Sequence, residues 1–269
     1  MFELVIPVAG QGSRFTGTTV PKPLIKATVT GTDQSGIWST TKTLLDWSMD
    51  CLPMELVRKV HFVTNNANND AIEKHTRHKW GDKVDLSYVI DEKPKGQAAS
   101  ALLGIENCTG PMIIANCDQW VEPRWQGEVK TDRAGLIDSG PLYTDWTPLY
   151  DVLSGNVECT VPTFDGSGSK WSYLVHDLDG DVACLVEKPY TVPKGAKAIV
   201  GIFVYHEAAE AEEAIRHMMT DEFRVRGEYY IAPSINYLVR KHAVIHSMEC
   251  RMHGIGTPED VAAFKDFTF

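Results

Sequence analysis

The sequence lacks the cysteine patterns that mark zinc sites and disulfide scaffolds. Its six cysteines, among 269 residues, include no C-x-x-C pair, and none has a histidine at metal-ligand spacing. We therefore expect free, buried thiols in a reducing compartment, the cytoplasm.

Long apolar runs and an excess of basic residues are also missing. No apolar stretch approaches the ~20 residues of a membrane-spanning helix, and no basic segment precedes the first apolar run as it does in a signal peptide. The formal net charge is -10, from 26 basic and 36 acidic residues. This charge disfavours binding to nucleic-acid phosphates and to anionic membranes. We expect neither as a partner, and any anionic ligand should be small.

The first part of the chain alternates between strand and helix patterns. Short apolar runs predict strands at 2–8, 57–64, 84–90 and 111–116, and amphipathic stretches predict helices at 43–52, 69–80 and 96–107. A polar loop rich in glycine and threonine is expected after the first strand. The alternation predicts an α/β fold, a Rossmann-like three-layer domain with a predominantly parallel, mixed sheet. Ligands are expected beyond the carboxyl ends of its strands.

The second part of the chain is richer in strand patterns. Short β runs at 157–164, 171–176 and 182–186 predict an antiparallel excursion. A strand at 199–205, helices at 208–219 and 230–240, a strand at 243–248 and a closing helix at 258–267 should follow. No internal repeat or linker is visible. We therefore predict a single domain, 1–269, with two halves at 1–120 and 121–269.

A glycine-rich turn, VAGQGSRF, directly follows the first strand, and the segment PKPLIKA comes soon after it. Such a turn lets backbone N–H groups approach a phosphate, while Arg14 and Lys22 supply positive charge. The P-loop sequence G-K-S/T and the third glycine of the dinucleotide fingerprint are both absent. A lone G-x-G is also common as a purely structural turn.

Together, VAGQGSRF and PKPLIKA resemble the signature of the nucleotidyltransferase family that includes the sugar-1-phosphate nucleotidylyltransferases, or nucleotide-sugar pyrophosphorylases. Four further segments match in order: GQAA at 96–99, ANCDQ at 115–119, VEKP at 186–189 and VGIFVY at 200–205. The resemblance covers essentially the whole chain and implies the fold of the nucleotide-diphospho-sugar transferases. It also implies an enzyme that transfers a nucleoside monophosphate from a nucleoside triphosphate to a phosphorylated acceptor, a sugar phosphate, and releases pyrophosphate.

The resemblance assigns the half at 1–120 to the nucleotide. The implied nucleotide-binding residues are Ala9, Gly10, Gln11, Gly12, Ser13, Asp91, Gly96 and Gln97. Asp91 stands where thymidylyl- and uridylyltransferases usually carry Gln. An ionised Asp only accepts hydrogen bonds, which favours cytosine or guanine and hence CTP or GTP, although the N3–H of uracil could also satisfy it. The alternative interpretation of Asp91 is a solvated loop.

The resemblance also implies how charge is handled during the reaction. The implied catalytic residues are Arg14, Lys22, Asp118 and Lys188. Asp118 would bind Mg²⁺, which prefers hard oxygen ligands and is typically held by one or two carboxylates together with substrate phosphates. Lys188 would hold the acceptor phosphate. The half at 121–269 would bind the acceptor, through Glu187, Gly201, Glu228 and Asn236. For Glu228, the start of a helix is an equally good interpretation.

One departure from the family concerns its second metal ligand. Members often end with an Asp-Thr-Gly-type segment, but Gly254 to Asp260 reads GIGTPED, without that carboxylate. Asp260 could substitute, but Thr257 as N-cap with Pro258 in the first turn predicts a helix start, which is the simpler role. Such endings resemble the capsule- and lipopolysaccharide-associated members, and many relatives form homo-oligomers.

Two other functions remain open. A glycosyltransferase that uses a nucleotide sugar would employ a D-x-D motif, for which Asp177, Asp179 and Asp181 are candidates, although a hairpin turn explains them more simply. A non-catalytic nucleotide- or sugar-sensing domain would account for the missing carboxylate. Tryptophans could stack on a sugar, but core or rim packing is more common; the four considered are Trp120, Trp125, Trp146 and Trp171.

Overall fold

The computed structural model describes residues 1–10, 12, 14–15, 17–33, 36–122, 146 and 148–265. In these ranges the helices are α1 (Leu44–Asp50), α2 (Asn69–Trp80), α3 (Gln97–Ile105), α4 (Leu149–Leu153), α5 (Ala208–Thr220), α6 (Ile235–Arg240) and α7 (Pro258–Lys265). The strands are β1 (Phe2–Pro7), β2 (Lys26–Asp33), β3 (Gly36–Thr43), β4 (Val57–Thr64), β5 (Asp85–Ile90), β6 (Met112–Ala115), β7 (Gln119–Val121), β8 (Cys159–Phe164), β9 (Tyr173–His176), β10 (Val182–Val186), β11 (Lys197–Ile199), β12 (Ile202–Tyr205), β13 (Ile245–Glu249) and β14 (Met252–Gly254).

Four strands form the parallel part of the main sheet, in the order β5–β4–β1–β6. All four match predicted apolar runs, because strands covered on both faces are apolar along their length. The chain steps from β1 to β4 and β5 on one side and then returns to place β6 on the other side of β1. In open α/β sheets, such a reversal leaves a crevice beyond the carboxyl ends of the two strands concerned.

The other part of the sheet continues from β6 in the order β12–β8–β11–β9–β10, and every neighbouring pair in this part is antiparallel. The predicted antiparallel excursion is therefore confirmed. β13 pairs with β8 in parallel. One sheet thus contains strands from both halves of the chain.

Helices cover both faces of this sheet. Because side chains alternate along a strand, Leu4 and Ile6 of β1 join an apolar cluster with α1, α2 and α7, whereas Val5 joins a second cluster with α3, α5 and α6. Leu4 and Val5 have no exposed surface, and burial of apolar area at about 25 cal/mol per Å² is the main stabilising contribution. The predicted three-layer α/β fold is confirmed.

Two predicted elements of the second half have different bounds. The strand expected at 199–205 is divided into β11 and β12, because Gly201 between them has a φ of +94°, which an extended strand does not contain. The helix expected at 230–240 begins only at Ile235, after a 3-10 turn at Ala232–Ser234.

The polar segment after β1 contains a hairpin where only a loop was expected. β2 and β3 pair antiparallel from Lys26 to Thr43. Ala27 and Val29 of β2 are fully buried in the first apolar cluster, whereas the next residue, Thr30, is exposed. Buried and exposed residues therefore alternate along β2 as expected for a strand, but its threonines and glycine make the segment look like a polar loop in the sequence.

All six cysteines are free, as predicted, but only three of them are buried: Cys51, Cys117 and Cys159. Across the described residues, no helix is both long and apolar enough to traverse a membrane.

Candidate functional site

Two adjoining cavities occupy the crevice beyond β1 and β6. The first, of 530 Å³, lies between the segment after β1 and the start of α3, and we call it the glycine-turn cavity. The second, of 380 Å³, reaches Glu187 and Lys188 at the end of β10, and we call it the Glu187 cavity. Six residues line both: Arg14, Gln97, Asn116, Asp118, Tyr230 and Gly256. These residues mark the junction of the two cavities.

An ion pair between Lys22 and Asp118 lies at this junction. Asp118 follows β6, and its Oδ2 is 2.8 Å from Lys22 Nζ. Burial of Lys22 lowers the pKa of its ammonium group, but the charge of nearby Asp118 outweighs this effect, so the pKa is raised above its usual value. Lys22 therefore carries a positive charge at neutral pH.

The glycine turn approaches this lysine closely. Gly12 has a φ of +63°, and a Cβ atom there would lie 2.8 Å from Lys22 Cβ. Glycine is thus required at this position by both conformation and space. Ala9, Gly10 and Gly12 line the glycine-turn cavity. Gln11 and Ser13, predicted to bind the nucleotide, lie outside the described residues.

Arg14 lines both cavities and forms no ion pair with any other described residue. Its guanidinium offers five donors in a planar fork that matches phosphate oxygens. A guanidinium with no ion-pair partner among the described residues, placed where two cavities join, is suited to an anionic ligand.

Glu187 and Lys188 sit together at the end of β10, as the sequence predicts. The Glu187 side chain is 1% exposed and lies 3.2 Å from Lys188 Nζ. Its Oε2 accepts a short hydrogen bond from the Ser172 hydroxyl. Lys188 has a φ of +43°, an uncommon conformation for a non-glycine residue, and its Nζ is 3.1 Å from the centre of the Tyr230 ring. The pair therefore presents one carboxylate and one ammonium to the Glu187 cavity.

Gly201 lines the Glu187 cavity and allows Asn116 to lie close beside it. A Cβ atom on Gly201 would be 2.3 Å from Asn116 Nδ2. The backbone N–H of Asn116 also donates to the Gly201 carbonyl, at 3.2 Å. Together these contacts fix the short segment that leads to Asp118.

Gly96 and Gln97 line the glycine-turn cavity at the start of α3, but Asp91 does not. Asp91 is buried, with 7% of its surface exposed. Its Oδ2 accepts a hydrogen bond of 2.7 Å from the Ser100 hydroxyl, and its Oδ1 accepts one of 3.1 Å from the Lys93 backbone N–H. Ser100 in turn lines the cavity. Asp91 is thus neither a solvated loop residue nor a lining residue; it stands behind Ser100.

Glu228 and Asn236, both predicted to bind the acceptor, take different positions. Glu228 lines the glycine-turn cavity and precedes the helical segment, where its Oε2 accepts a hydrogen bond of 3.2 Å from Tyr230. Asn236 lines neither described cavity. Its side-chain amide exchanges two hydrogen bonds with the backbone of Leu185, at 2.7 and 2.9 Å. Asn236 therefore holds β10 in place, two residues before Glu187.

Asp260 lies at the start of α7, where the predicted cap is present. The backbone N–H of Asp260 donates to Thr257 Oγ1 at 3.1 Å. Its side chain lines the Glu187 cavity and forms an ion pair with Lys170 at 3.2 Å. In the same segment, Gly256 lies beside Asp118: a Cβ atom there would be 3.1 Å from Asp118 Oδ2.

The Asp177 to Asp181 segment is a hairpin turn between β9 and β10. Asp177 Oδ1 accepts hydrogen bonds from the backbone N–H groups of Asp179 and Asp181, both at 3.0 Å. None of these aspartates lines either described cavity, so the simpler interpretation holds.

The tryptophans divide between core and cavity. Trp120 packs in the first apolar cluster and Trp146 packs against it, while Trp171 lines the Glu187 cavity. Trp125 lies outside the described residues.

Sequence reasoning missed several residues that the fold brings to the site, among them Asn116, Ser172, Tyr230 and Ser100. Asn116 and Tyr230 lie two residues from Asp118 and from Glu228, both of which were named as site residues from the sequence. Ser172 had no signal in the sequence, because its contact with Glu187 depends on the pairing of β9 with β10.

The chain matches no protein-family model and no curated protein sequence. Solved structures do share its fold. A nucleoside-diphosphate-sugar pyrophosphorylase from Vibrio cholerae has a TM-score of 0.71 at 22% identity, over 98% of this chain and 100% of that one. A UDP-glucose pyrophosphorylase in complex with UDP-glucose has a TM-score of 0.70 at 15% identity, over 99% of this chain and 97% of that one. At these identities, the likeness establishes the fold.

Proposed function

We propose that this chain is a nucleotidyltransferase, which transfers a nucleoside monophosphate from a nucleoside triphosphate to a phosphorylated acceptor and releases pyrophosphate. The observation that carries this proposal is the junction of two cavities at Arg14, Lys22 and Asp118. One cavity begins at a glycine turn, and the other ends at Glu187, whose side chain is 1% exposed, and its ion-pair partner Lys188. The fold shared with two sugar-nucleotide pyrophosphorylases agrees with this function.

In the proposed reaction, a phosphate oxygen of the acceptor attacks the α-phosphorus of the triphosphate. The nucleophile is already anionic near neutral pH, so the site needs positioning and charge neutralisation more than a proton-transfer group. Arg14 and the backbone of the turn at 10–13 would hold the β- and γ-phosphates. Lys22 would offset charge at the α-phosphate, and Lys188 would bring in the acceptor phosphate.

Asp118 fits a site for Mg²⁺. Its carboxylate is 31% exposed at the junction, and only Oδ2 is engaged by Lys22. One carboxylate together with substrate phosphates is a common donor set for this ion. When bound, Mg²⁺ would neutralise phosphate charge. Asp260 already pairs with Lys170, so we assign the metal to Asp118 alone.

For the acceptor, we propose a sugar phosphate. Glu187 is a buried carboxylate that would accept hydrogen bonds from hydroxyl groups, and Lys188 lies beside it. We further propose CTP or GTP as the nucleotide and a role in capsule or polysaccharide biosynthesis. The free thiols agree with a reducing compartment, the cytoplasm. A homo-oligomer is proposed from the resemblance alone.

The experiment is a pyrophosphate-release assay in which each of ATP, GTP, CTP, UTP and dTTP is combined with a panel of acceptor phosphates, including hexose, heptose and non-sugar phosphates. Release that requires one nucleotide, one acceptor and Mg²⁺ supports the proposal. Transfer of sugar from a finished nucleotide sugar without pyrophosphate would identify a glycosyltransferase instead. Ligand binding without pyrophosphate release, whatever the acceptor, would identify a sensing domain.

A further inference from the structure

The glycine-turn cavity has two chemically different ends. The described cations that line it, Arg14 and Lys22, lie with Asp118 at the junction. The other end is formed by the start of α3 and its neighbours, where Gly96, Ser100 and Glu228 line the wall. A nucleotide whose phosphates face the cations would therefore place its base toward Ser100.

The hydroxyl of Ser100 is restricted in how it can bond to that base. A serine hydroxyl is ordinarily both donor and acceptor, and so does not discriminate between an amino group and a carbonyl. Here the Ser100 proton is directed to Asp91 Oδ2, at 2.7 Å. A hydrogen bond to a carboxylate is stronger than one between neutral groups. Ser100 is thus left with lone pairs only on the cavity side.

Hydrogen bonds hold Asp91 in place, so its carboxylate stays beside the Ser100 hydroxyl and keeps accepting its proton. Its other oxygen accepts from the Lys93 backbone N–H, and its own backbone N–H donates to the Thr64 carbonyl at 2.7 Å. Ser100 is only 3% exposed, so water competes poorly for its lone pairs. Glu228, the charged side chain on the same wall, is also an acceptor only.

We propose that Ser100, oriented by Asp91, is a specificity-determining residue that selects a base with an exocyclic amino group over uracil and thymine. This inference rests on the proposed function, because it assumes a nucleoside triphosphate in the glycine-turn cavity. An amino group donates a hydrogen bond to the Ser100 oxygen. A uracil carbonyl at the same place would instead face that oxygen with its own lone pairs, and the two acceptors would repel each other. Ser100 is the selective group and Asp91 is a positioning residue.

The test compares CTP with UTP, since the two bases differ at the amino group and the adjacent ring nitrogen. Isothermal titration calorimetry with Mg²⁺ measures their dissociation constants, alongside the other three triphosphates and inorganic tripolyphosphate. We expect CTP to bind about tenfold or more tightly than UTP, because an unsatisfied buried polar contact has a cost of that order. Ser100→Ala should weaken CTP binding and bring the CTP-to-UTP ratio close to one.

Two further variants separate orientation from packing. Asp91→Asn supplies an amide donor to Ser100 and frees its proton, so the CTP-to-UTP ratio should fall while tripolyphosphate binding is unchanged. Ser87→Ala removes a hydroxyl that bonds to His61, outside both cavities, and should keep the wild-type ratio.

The results of these binding measurements distinguish failure of the base selection from failure of the proposed function. Equal binding of all five triphosphates, tighter binding of UTP or dTTP, or an unchanged ratio in Ser100→Ala would overturn the base selection and leave the transferase proposal standing. If none of the triphosphates binds, the proposed function fails and the selection fails with it.

Discussion

At the scale of single residues, the two cations at the cavity junction, Lys22 and Arg14, differ in whether they have an ion-pair partner. Lys22 is neutralised within the protein by Asp118 at 2.8 Å, whereas Arg14 has no ion-pair partner among the described residues. A charge without an internal partner contributes little to folding. Arg14 therefore allows catalysis and stability to be separated.

We predict that Arg14→Ala lowers turnover by about a hundredfold or more, since removal of one group that stabilises transition-state charge has that effect. Its free energy of unfolding should change by no more than about 0.5 kcal/mol. Pyrophosphate release and urea unfolding measure the two effects. Arg240→Ala, which removes an equal charge from the exposed end of α6, should affect neither. Loss of stability without loss of turnover would refute the role of Arg14.

Asp46, a buried carboxylate away from the site, makes the folding stability depend on pH. Asp46 on α1 is 5% exposed and lies 3.0 Å from His75 and 3.4 Å from Lys79. Burial alone would raise the pKa of Asp46, but the hydrogen bonds from His75 and Thr43 and the nearby positive charges lower it to about 2.

Because the folded pKa of Asp46 is depressed, its stabilisation is present above the unfolded value near 4 and is lost as the pH falls toward 2. The shift corresponds to about 2 kcal/mol. Asp46→Asn should therefore be less stable than wild type by about that amount at pH 7, and the difference should disappear near pH 2. Urea unfolding at a series of pH values measures it. The exposed control Glu55→Gln should follow the wild-type curve; a pH-independent deficit in Asp46→Asn would show that charge is not the cause.

At the scale of elements, the break between β11 and β12 shapes the cavity wall. We predict that Gly201→Ala destabilises the chain by more than about 2 kcal/mol, since it combines an unfavourable φ with a clash against Asn116. Nucleotide-dependent activity should fall as well, because Asn116 leads to Asp118. Thermal unfolding and turnover are the measurements.

Gly180→Ala is the matched control for Gly201→Ala. Gly180 has nearly the same φ, +91°, but a Cβ atom there meets nothing within 4 Å. It should therefore show only the backbone cost of about 1–2 kcal/mol and keep full activity. Equal effects of the two substitutions would mean that the contact with Asn116 is unimportant.

Elements were predictable where one local pattern decides them. β4, β10 and α2 have the predicted bounds, because their apolar periodicity agrees with their burial. The β2–β3 hairpin was missed because polar threonines, such as Thr28 and Thr30, alternate with its few apolar residues, Ala27 and Val29. Asn236 was expected at the acceptor but holds β10, through contacts that span 51 residues and leave no local pattern.

At the scale of the whole molecule, the position of the site follows from topology. The reversal of winding at β1 and β6 puts Gly10, Gly12 and Asp118 at one edge of the sheet, although more than 100 residues separate the two glycines from Asp118. The order of motifs was sufficient to predict this convergence. The division into two cavities was not predictable, since it depends on how the antiparallel strands and the Gly254 to Gly256 segment pack around Asp118.

The most direct measurement is a thermal-shift comparison of ATP, GTP, CTP, UTP and dTTP, each with and without Mg²⁺, for wild type and Asp118→Ala. A ligand at about 100 times its dissociation constant stabilises the folded state by about 2.7 kcal/mol. We predict a magnesium-dependent shift with a particular nucleotide, lost in Asp118→Ala and retained in Asp179→Ala, which removes an equal charge from the β9–β10 turn. Shifts that survive in Asp118→Ala but vanish in Asp179→Ala, or no shift with any triphosphate, would refute a transfer site at the junction of the two cavities.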